Sequence, residues 1–342
     1  MELFRLHNRL NSLGWILLTG MILAGCGNLP VSGDQPVQPT RVIQFATSVM
    51  DSAELELGTP LVDQPDQIDS TPVKLTSIPT QLPCGDDWCV TFGHFILLRP
   101  IGEDYNDQVE RSYPYGSTEN QEHAPHHGVE FSNPTGTPVL AVADGKVVVA
   151  GSDHNTSYGE GTDFYGNLVM IAHQLSQYST PFYSLYGHLS EVNVRVGDTV
   201  KTGNVIGKVG KTGVAMGSHL HFEVRVGGEG YFDVRNPELW LAPHTGNGVL
   251  TGKIINPEGE IRYFPDVKVE FLGSSNKTLI YRPEPYADPN LKRDEFYQEV
   301  FVVGDLPAGR YRVSFTPPGV SQVLEVEIYP GKVTEVVLHA KY

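Results

Sequence analysis

The chain has 342 residues and a formal net charge of −16, with 40 acidic side chains against 24 basic ones, 12 histidines and three cysteines. No basic stretch follows the first few residues, so an electrostatic binder of nucleic acid is excluded. Anionic polymers and lipid headgroups would be repelled as well unless cations intervene.

Arg5 and Arg9 precede an apolar segment from about Leu13 to Gly25 that closes on Leu23, Ala24, Gly25 and Cys26. Arginines, a short apolar region and small residues before a cut form a secretory signal. The segment is well short of the ~20 residues of a spanning helix, so residues 1–25 are read as a signal peptide. The run Leu-Ala-Gly-Cys resembles the bacterial lipobox. That resemblance implies that Cys26 becomes the first mature residue and carries two or more acyl chains, anchoring the protein on the extracytoplasmic side of a bacterial cell membrane. Residues 26–83 are rich in Pro, Gln, Asp, Ser and Thr and cannot bury enough surface to offset ordering entropy. They are expected to be a disordered, flexible tether, with 41–57 apolar enough to dock or form a strand. In an oxidising compartment Cys84 and Cys89 are expected as a small-loop disulfide. A zinc ribbon would need a second cysteine pair.

Residues 84–244 carry short alternating runs rich in Val and Ile, for example 192–196, interrupted by turn glycines and without a long helical pattern. That predicts an antiparallel β-domain. The polar segment 151–166 is long for a hairpin loop and is expected to border a cleft.

Within this domain three stretches can assemble a zinc site: His126 to Glu130, His188 after Tyr186 and Gly187, and His219 to Glu223. A strand repeats every two residues, so His219 and His221 leave the backbone on one face. His126 and Glu130, four apart, would share a face on a strand too, with Gly128 permitting a bend. Zinc takes imidazole nitrogen and carboxylate oxygen, and hydrolytic sites use three protein ligands. The candidates exceed that number, and the residues alone leave the choice open. His127 would face away on a strand as a rim or surface residue, and His123 could reach over the cleft. His173 reads as a strand-end histidine near the site, behind the ligands. His94, His154, His244 and His339 have no partner spacing and are taken as structural.

From about His126 to Trp240 the chain resembles the lysostaphin-type (LytM-like) zinc metallopeptidases, which cut peptide cross-links in bacterial cell walls. The resemblance runs through Gly136, Thr137 and Pro138, then Ala143, Asp144 and Gly145, then Tyr186, Gly187 and His188. It continues through Val196, Gly197 and Asp198 to Gly217, Ser218, His219, Leu220, His221, Phe222 and Glu223, and closes on Asn236 and Pro237. It implies Zn2+ on His126, Glu130 and His221, with His188 and His219 unligated. Of these two, His219 is expected to transfer the proton and His188 to steady the tetrahedral oxyanion, and the roles could be exchanged. Where the family has Asp this chain has Glu130. The extra methylene displaces the carboxylate by about 1 Å, so backbone or rotamer must adjust.

Beyond Asn247, short β-branched or alternating runs at 249–255, 267–271, 311–315, 324–328 and 334–338 suffice for a β-sandwich with its own core in residues 245–342. The turn at 304–311 resembles carboxypeptidase-regulatory-like or Cna-B-like modules, which implies a spacer or weak ligand binder. Tyr281, Tyr286, Phe296 and Tyr297 are expected to pack rather than to form a sugar-binding surface. The whole reads as an all-β, membrane-anchored zinc endopeptidase acting on stem peptides or cross-bridges of peptidoglycan. The rival is a catalytically inactive LytM-like regulator or cell-wall-binding scaffold. Neither the cleaved bond nor the oligomeric state is fixed by the sequence.

Overall fold

The computed structural model describes residues 82–340 apart from 119–122, 175–177, 274–278 and 317–320. The signal segment, Cys26 and residues 41–57 lie outside the described residues. Among those described, the first part of the chain forms strands β1 (Trp88–Thr91), β2 (Val129–Ser132), β3 (Pro138–Leu140), β4 (Gly145–Ser152), β5 (Asn167–His173), β6 (Phe182–Gly187), β7 (Glu191–Val192), β8 (Thr199–Val200), β9 (Val205–Lys208), β10 (His219–Val226) and β11 (Val234–Arg235). A 3-10 turn at Pro237–Leu239 leads to β12 (Asn247–Ile255), β13 (Val267–Phe271), β14 (Ile280–Tyr281), β15 (Phe301–Pro307), β16 (Gly309–Phe315), β17 (Gln322–Ile328) and β18 (Val333–His339). The chain is all-β, as its alternating patterns predict.

The main sheet is organised around β10. Along one edge β10 pairs antiparallel with β6, and along the other with β2 and then β11. The sheet continues from β6 through β5 and β4 to β8. Strand β5 shows why some of these strands read as unbroken apolar runs: Val169 and Ile171 enter one core with Phe131 and Phe222, whereas Leu168 and Met170 enter another with Tyr165 and Leu185. A strand covered on both faces has no polar side to alternate with.

The sandwich packs a sheet ordered β1-β18-β12-β15 on another ordered β14-β13-β16-β17. In β13 Val267 and Val269 are buried while Lys268 and Glu270 are only half-buried, the period of a strand with one face inward. Its edge strand β1 comes from ahead of β2 in the chain and pairs with β18 from Trp88 opposite Val336 to Thr91 opposite Val333. Strand β1, which falls within the expected 84–244 region, thus hydrogen-bonds in the sandwich sheet. A four-residue strand carries no signal of which sheet it joins, and its partner lies at the far end of the chain. Cys84 and Cys89, just before and within β1, are bridged.

The region carrying β2 to β11 and the sandwich share one core. Tyr286, Leu291 and Tyr297 of the insertion between β14 and β15 pack in the same cluster as Leu97, Leu239 and Trp240. Tyr286 and Tyr297 are buried, Phe296 is exposed, and Tyr281 lies beneath the Arg111 guanidinium. A polar seam reinforces the contact: the His244 ring sits between Asp107 at 2.8 Å and Asp305 at 3.0 Å, and Arg99 also pairs with Asp305.

In the insertion between β14 and β15, Glu299 is fully buried, receives a hydrogen bond from the Tyr286 hydroxyl and accepts another from the Asp294 amide at 3.0 Å. Burial, aided by the charge of Asp294 and opposed by the Tyr286 hydroxyl, pushes its carboxyl up to about 8. Between its ordinary value and that figure the native state holds a proton that the unfolded chain has released. Its contribution to stability is therefore complete below the unfolded value and is lost as pH rises through about 8. Urea unfolding of Glu299→Gln alongside wild type is expected to show a difference that changes by up to about 1.4 kcal/mol per pH unit across that window. Parallel pH profiles would contradict a protonated Glu299.

Candidate metal centre

Strands β2 and β10 bring the three expected ligands together. In the β2/β10 ladder His221 lies opposite Glu130 and His219 opposite Ser132. His126 is not on a strand, since β2 begins at Val129. It reaches the site from the preceding loop, so the shared-face argument for His126 and Glu130 gives the correct convergence for a different reason. Gly128 is needed for close approach: a Cβ there would lie 2.4 Å from the Phe222 carbonyl oxygen and 2.9 Å from the His221 ring.

His126 Nε2 is 3.2 Å from His221 Nδ1 and 3.0 Å from Glu130 Oε1, and His221 Nδ1 is 3.1 Å from the same oxygen. Donors bound tetrahedrally to one zinc at about 2.0–2.1 Å stand about 3.3 Å apart, so the spacing fits a common ion. The protonation pattern fits too. His126 Nδ1 faces the carbonyl oxygen of Tyr113 at 3.1 Å, and His221 Nε2 faces Glu223 Oε1 at 3.0 Å. Those oxygens accept from the outer nitrogens, so each ring can give up its inner proton to an arriving metal ion and present that nitrogen as a donor. Glu130 Oε2 is buried, with His219 Nε2 2.6 Å away. The His126, Glu130 and His221 cluster thus has the donor set and spacing of a single zinc site. Glu130 reaches it despite the longer side chain.

Burial alone would raise the Glu130 carboxyl, but hydrogen bonds from His126, His219 and His221 hold it well below the usual range. His221 is raised to about 9: burial opposes the charged ring, and Glu130 and Glu223 outweigh it. His188 is lowered to about 4, by burial first and then by His221 and His219. Its Nδ1 donates to the Thr212 carbonyl at 2.8 Å, and His219 Nδ1 donates to the Gly217 carbonyl at 3.1 Å. Both rings therefore turn Nε2 towards the cleft, with centroids 4.8 Å apart. His188 has φ +62, a left-handed conformation costly for a residue with a Cβ. Such strain persists only where the surroundings impose it.

The cleft above these residues has a volume of about 410 Å³. Glu160 and Phe164, from the 151–166 segment, form part of its wall, as that loop's length suggests. His123 lines it as well. His127 is not a surface residue: it is buried in the cleft wall, stacked on Tyr231 with centroids 3.9 Å apart. His173 does not line the cleft. It sits at the end of β5, bonded to the Asp144 carbonyl at 2.8 Å and the Ser184 hydroxyl at 2.7 Å. His94, His154 and His339 pair with Asp294, Asp163 and Asp87, while His244 belongs to the interdomain seam.

Two features escape the sequence reading. Glu223 is fully buried between His221 and Arg225, whose Nε is 2.7 Å from its Oε2, and it also accepts the Tyr165 hydroxyl. Its place two residues after His221 on β10 is a legible signal of a shared face. Tyr113 stacks on His126 with centroids 4.1 Å apart, and no periodicity marks that contact.

The model of the family described as Peptidase family M23 matches residues 124–233. Glycyl-glycine endopeptidase ALE-1 of Staphylococcus capitis is 42% identical over 98 residues, 29% of this chain and 24% of that protein. DD-carboxypeptidase/endopeptidase Mpg of Neisseria meningitidis is 39% identical over 104 residues, 30% of this chain and 21% of that protein. The chain spans about a quarter of the length of the curated relatives it matches. Among solved structures, the catalytic domain of the antimicrobial peptidase lysostaphin from Staphylococcus simulans is 32% identical, covering 39% of this chain and 90% of that one at a TM-score of 0.32.

Proposed function

We propose that this chain, whose residues 124–233 are an M23-family zinc metallopeptidase domain homologous to lysostaphin-type peptidoglycan hydrolases, is a membrane-anchored endopeptidase that hydrolyses peptide bonds in peptidoglycan stems or cross-bridges. The observation that carries the reading is the convergence of His126 Nε2, Glu130 Oε1 and His221 Nδ1 beneath an open cleft. A zinc ion held by these three supplies Lewis acidity, polarising a peptide carbonyl and making water acidic enough to ionise near neutral pH.

The chain's own residues do the rest. His219, the more exposed of the two unligated rings, takes the proton of the attacking water at Nε2 and returns it to the leaving amine. His188, fixed by the Thr212 carbonyl, stands across from it, beside the position that the tetrahedral oxygen would take. Glu223 and Tyr113 hold the ligand rings by their outer nitrogens, so that the inner ones can be presented as donors. The lipid on Cys26 and the tether after it would keep the domain within reach of the wall.

Metal analysis of purified protein is expected to give close to one zinc per chain, and digestion of purified peptidoglycan to release new free amino groups. Bound zinc with no release at any loading would return the inactive-regulator reading. The anchor is tested separately: Cys26→Ser should move the protein from membranes to the soluble fraction, and unchanged detergent partitioning would contradict lipidation.

A further inference from the structure

We propose that the 284–299 segment of the C-terminal module is a positioning element of the metal centre, acting through the loop at 113–117 on His126. The inference rests on the reading of His126 as a zinc ligand. That loop sets the His126 ring in three ways. Tyr113 stacks on it with an interplanar angle of 18°, the Tyr113 carbonyl takes the proton on Nδ1, and two backbone bonds, Gly116 N to His126 O at 2.8 Å and His126 N to Ser117 O at 2.9 Å, fix its main chain. The outcome is an Nε2 aimed at the Glu130 and His221 donors.

The loop includes no strand of its own. Its support comes from the module. Tyr115 meets Tyr286 edge to face with centroids 5.2 Å apart, and its hydroxyl donates to the Lys292 carbonyl at 3.2 Å. The Ser117 hydroxyl donates to the Glu284 carboxylate at 2.9 Å. Gly116 has φ +83, and a Cβ there would lie 2.3 Å from the Tyr286 Cβ, so loop backbone and module touch with no room for a side chain between them. The segment is in turn held at two points: the Tyr286 amide donates to the Val300 carbonyl at 2.9 Å, and Lys292 Nζ reaches Asp233 of the peptidase region at 2.5 Å. The sandwich is thus part of the scaffold of the site rather than a spacer beside it.

The test uses the full-length protein and measures zinc affinity by chelator competition, together with the absorption bands of the cobalt-substituted form. Tyr286→Leu is expected to weaken zinc binding about tenfold or more and to shift the cobalt bands. Tyr286→Phe keeps the ring against Tyr115 and should restore near-wild-type affinity. Glu284 is exposed, so Glu284→Ala should fold normally while weakening zinc about threefold through the lost Ser117 hydrogen bond. Val313→Ala, in the sandwich core away from the loop, should lower the melting temperature and leave zinc affinity unchanged. Wild-type affinity and spectra in Glu284→Ala and folded Tyr286→Leu, or equal weakening in Val313→Ala, would overturn the positioning role alone. A wild-type protein that takes up no zinc would overturn the metal-centre reading, and this inference with it.

Discussion

Replacement of His219 by alanine is expected to lower the release of free amino groups from peptidoglycan by about 10²–10⁴-fold, the usual contribution of a positioned acid–base group, with zinc content unchanged. The ring is not one of the three donors, though its Nε2 stands 2.6 Å from Glu130 Oε2; its Nδ1 is committed to the Gly217 carbonyl, and it lines the cleft. Losing it removes a proton carrier without removing a ligand donor. His221→Ala is the contrast, because it removes both activity and metal. Equal zinc loss in the two variants would place His219 among the ligands. Full activity in His219→Ala would transfer the proton step to His188, and a His188→Ala variant would then be the inactive one.

The second large effect concerns stability. Glu223→Ala is expected to destabilise the fold by about 3–5 kcal/mol, the cost of leaving a buried charge without its partner. Arg225 is fully buried, and among the described residues its hydrogen-bond partners besides Glu223 are neutral: it donates to the carbonyls of Glu229 at 2.6 Å and Tyr158 at 3.0 Å and to the Tyr165 hydroxyl at 3.1 Å. Burial would raise the Glu223 carboxyl, and the charge of Arg225 with the contacts of His221 holds it far below the usual range. Replacing both partners, as Glu223→Leu with Arg225→Met, should recover most of the loss, because well-packed apolar residues of similar size escape the desolvation cost. Urea midpoints of the single and double variants decide the matter. A single-variant loss under about 1 kcal/mol would mean that water or a local shift solvates Arg225. The double variant should fold yet bind zinc more weakly, since His221 loses the acceptor that fixes its tautomer.

The parts of this site that could be read from the sequence are those encoded over a few consecutive residues. His219, His221 and Glu223 share a face by the two-residue repeat of β10, and the resemblance pointed to His126 and Glu130. Arg225 was harder, because an arginine on a strand is ordinarily a surface residue, and its full burial follows from a partner and two loops that only the fold brings together. The 113–117 loop left no trace at all. Its contacts with Tyr286, Glu284 and Lys292 join segments with neither periodicity nor motif. The same holds for β1, whose four residues fit either sheet until β18 is in place. His127, read as a rim or surface residue, does line the cleft but is buried there, because it precedes the strand whose alternation was used to turn it outward.

The pairing of β1 with β18 also decides how the molecule would bear mechanical load. A pull arriving through the residues ahead of Cys84 enters at the rim of the sandwich and is taken up by the rungs from Trp88–Val336 to Thr91–Val333. Strands β2 and β10, which carry Glu130 and His221, pair with each other and not with β1 or β18, so opening those rungs breaks no hydrogen bond of the ladder that holds the donors.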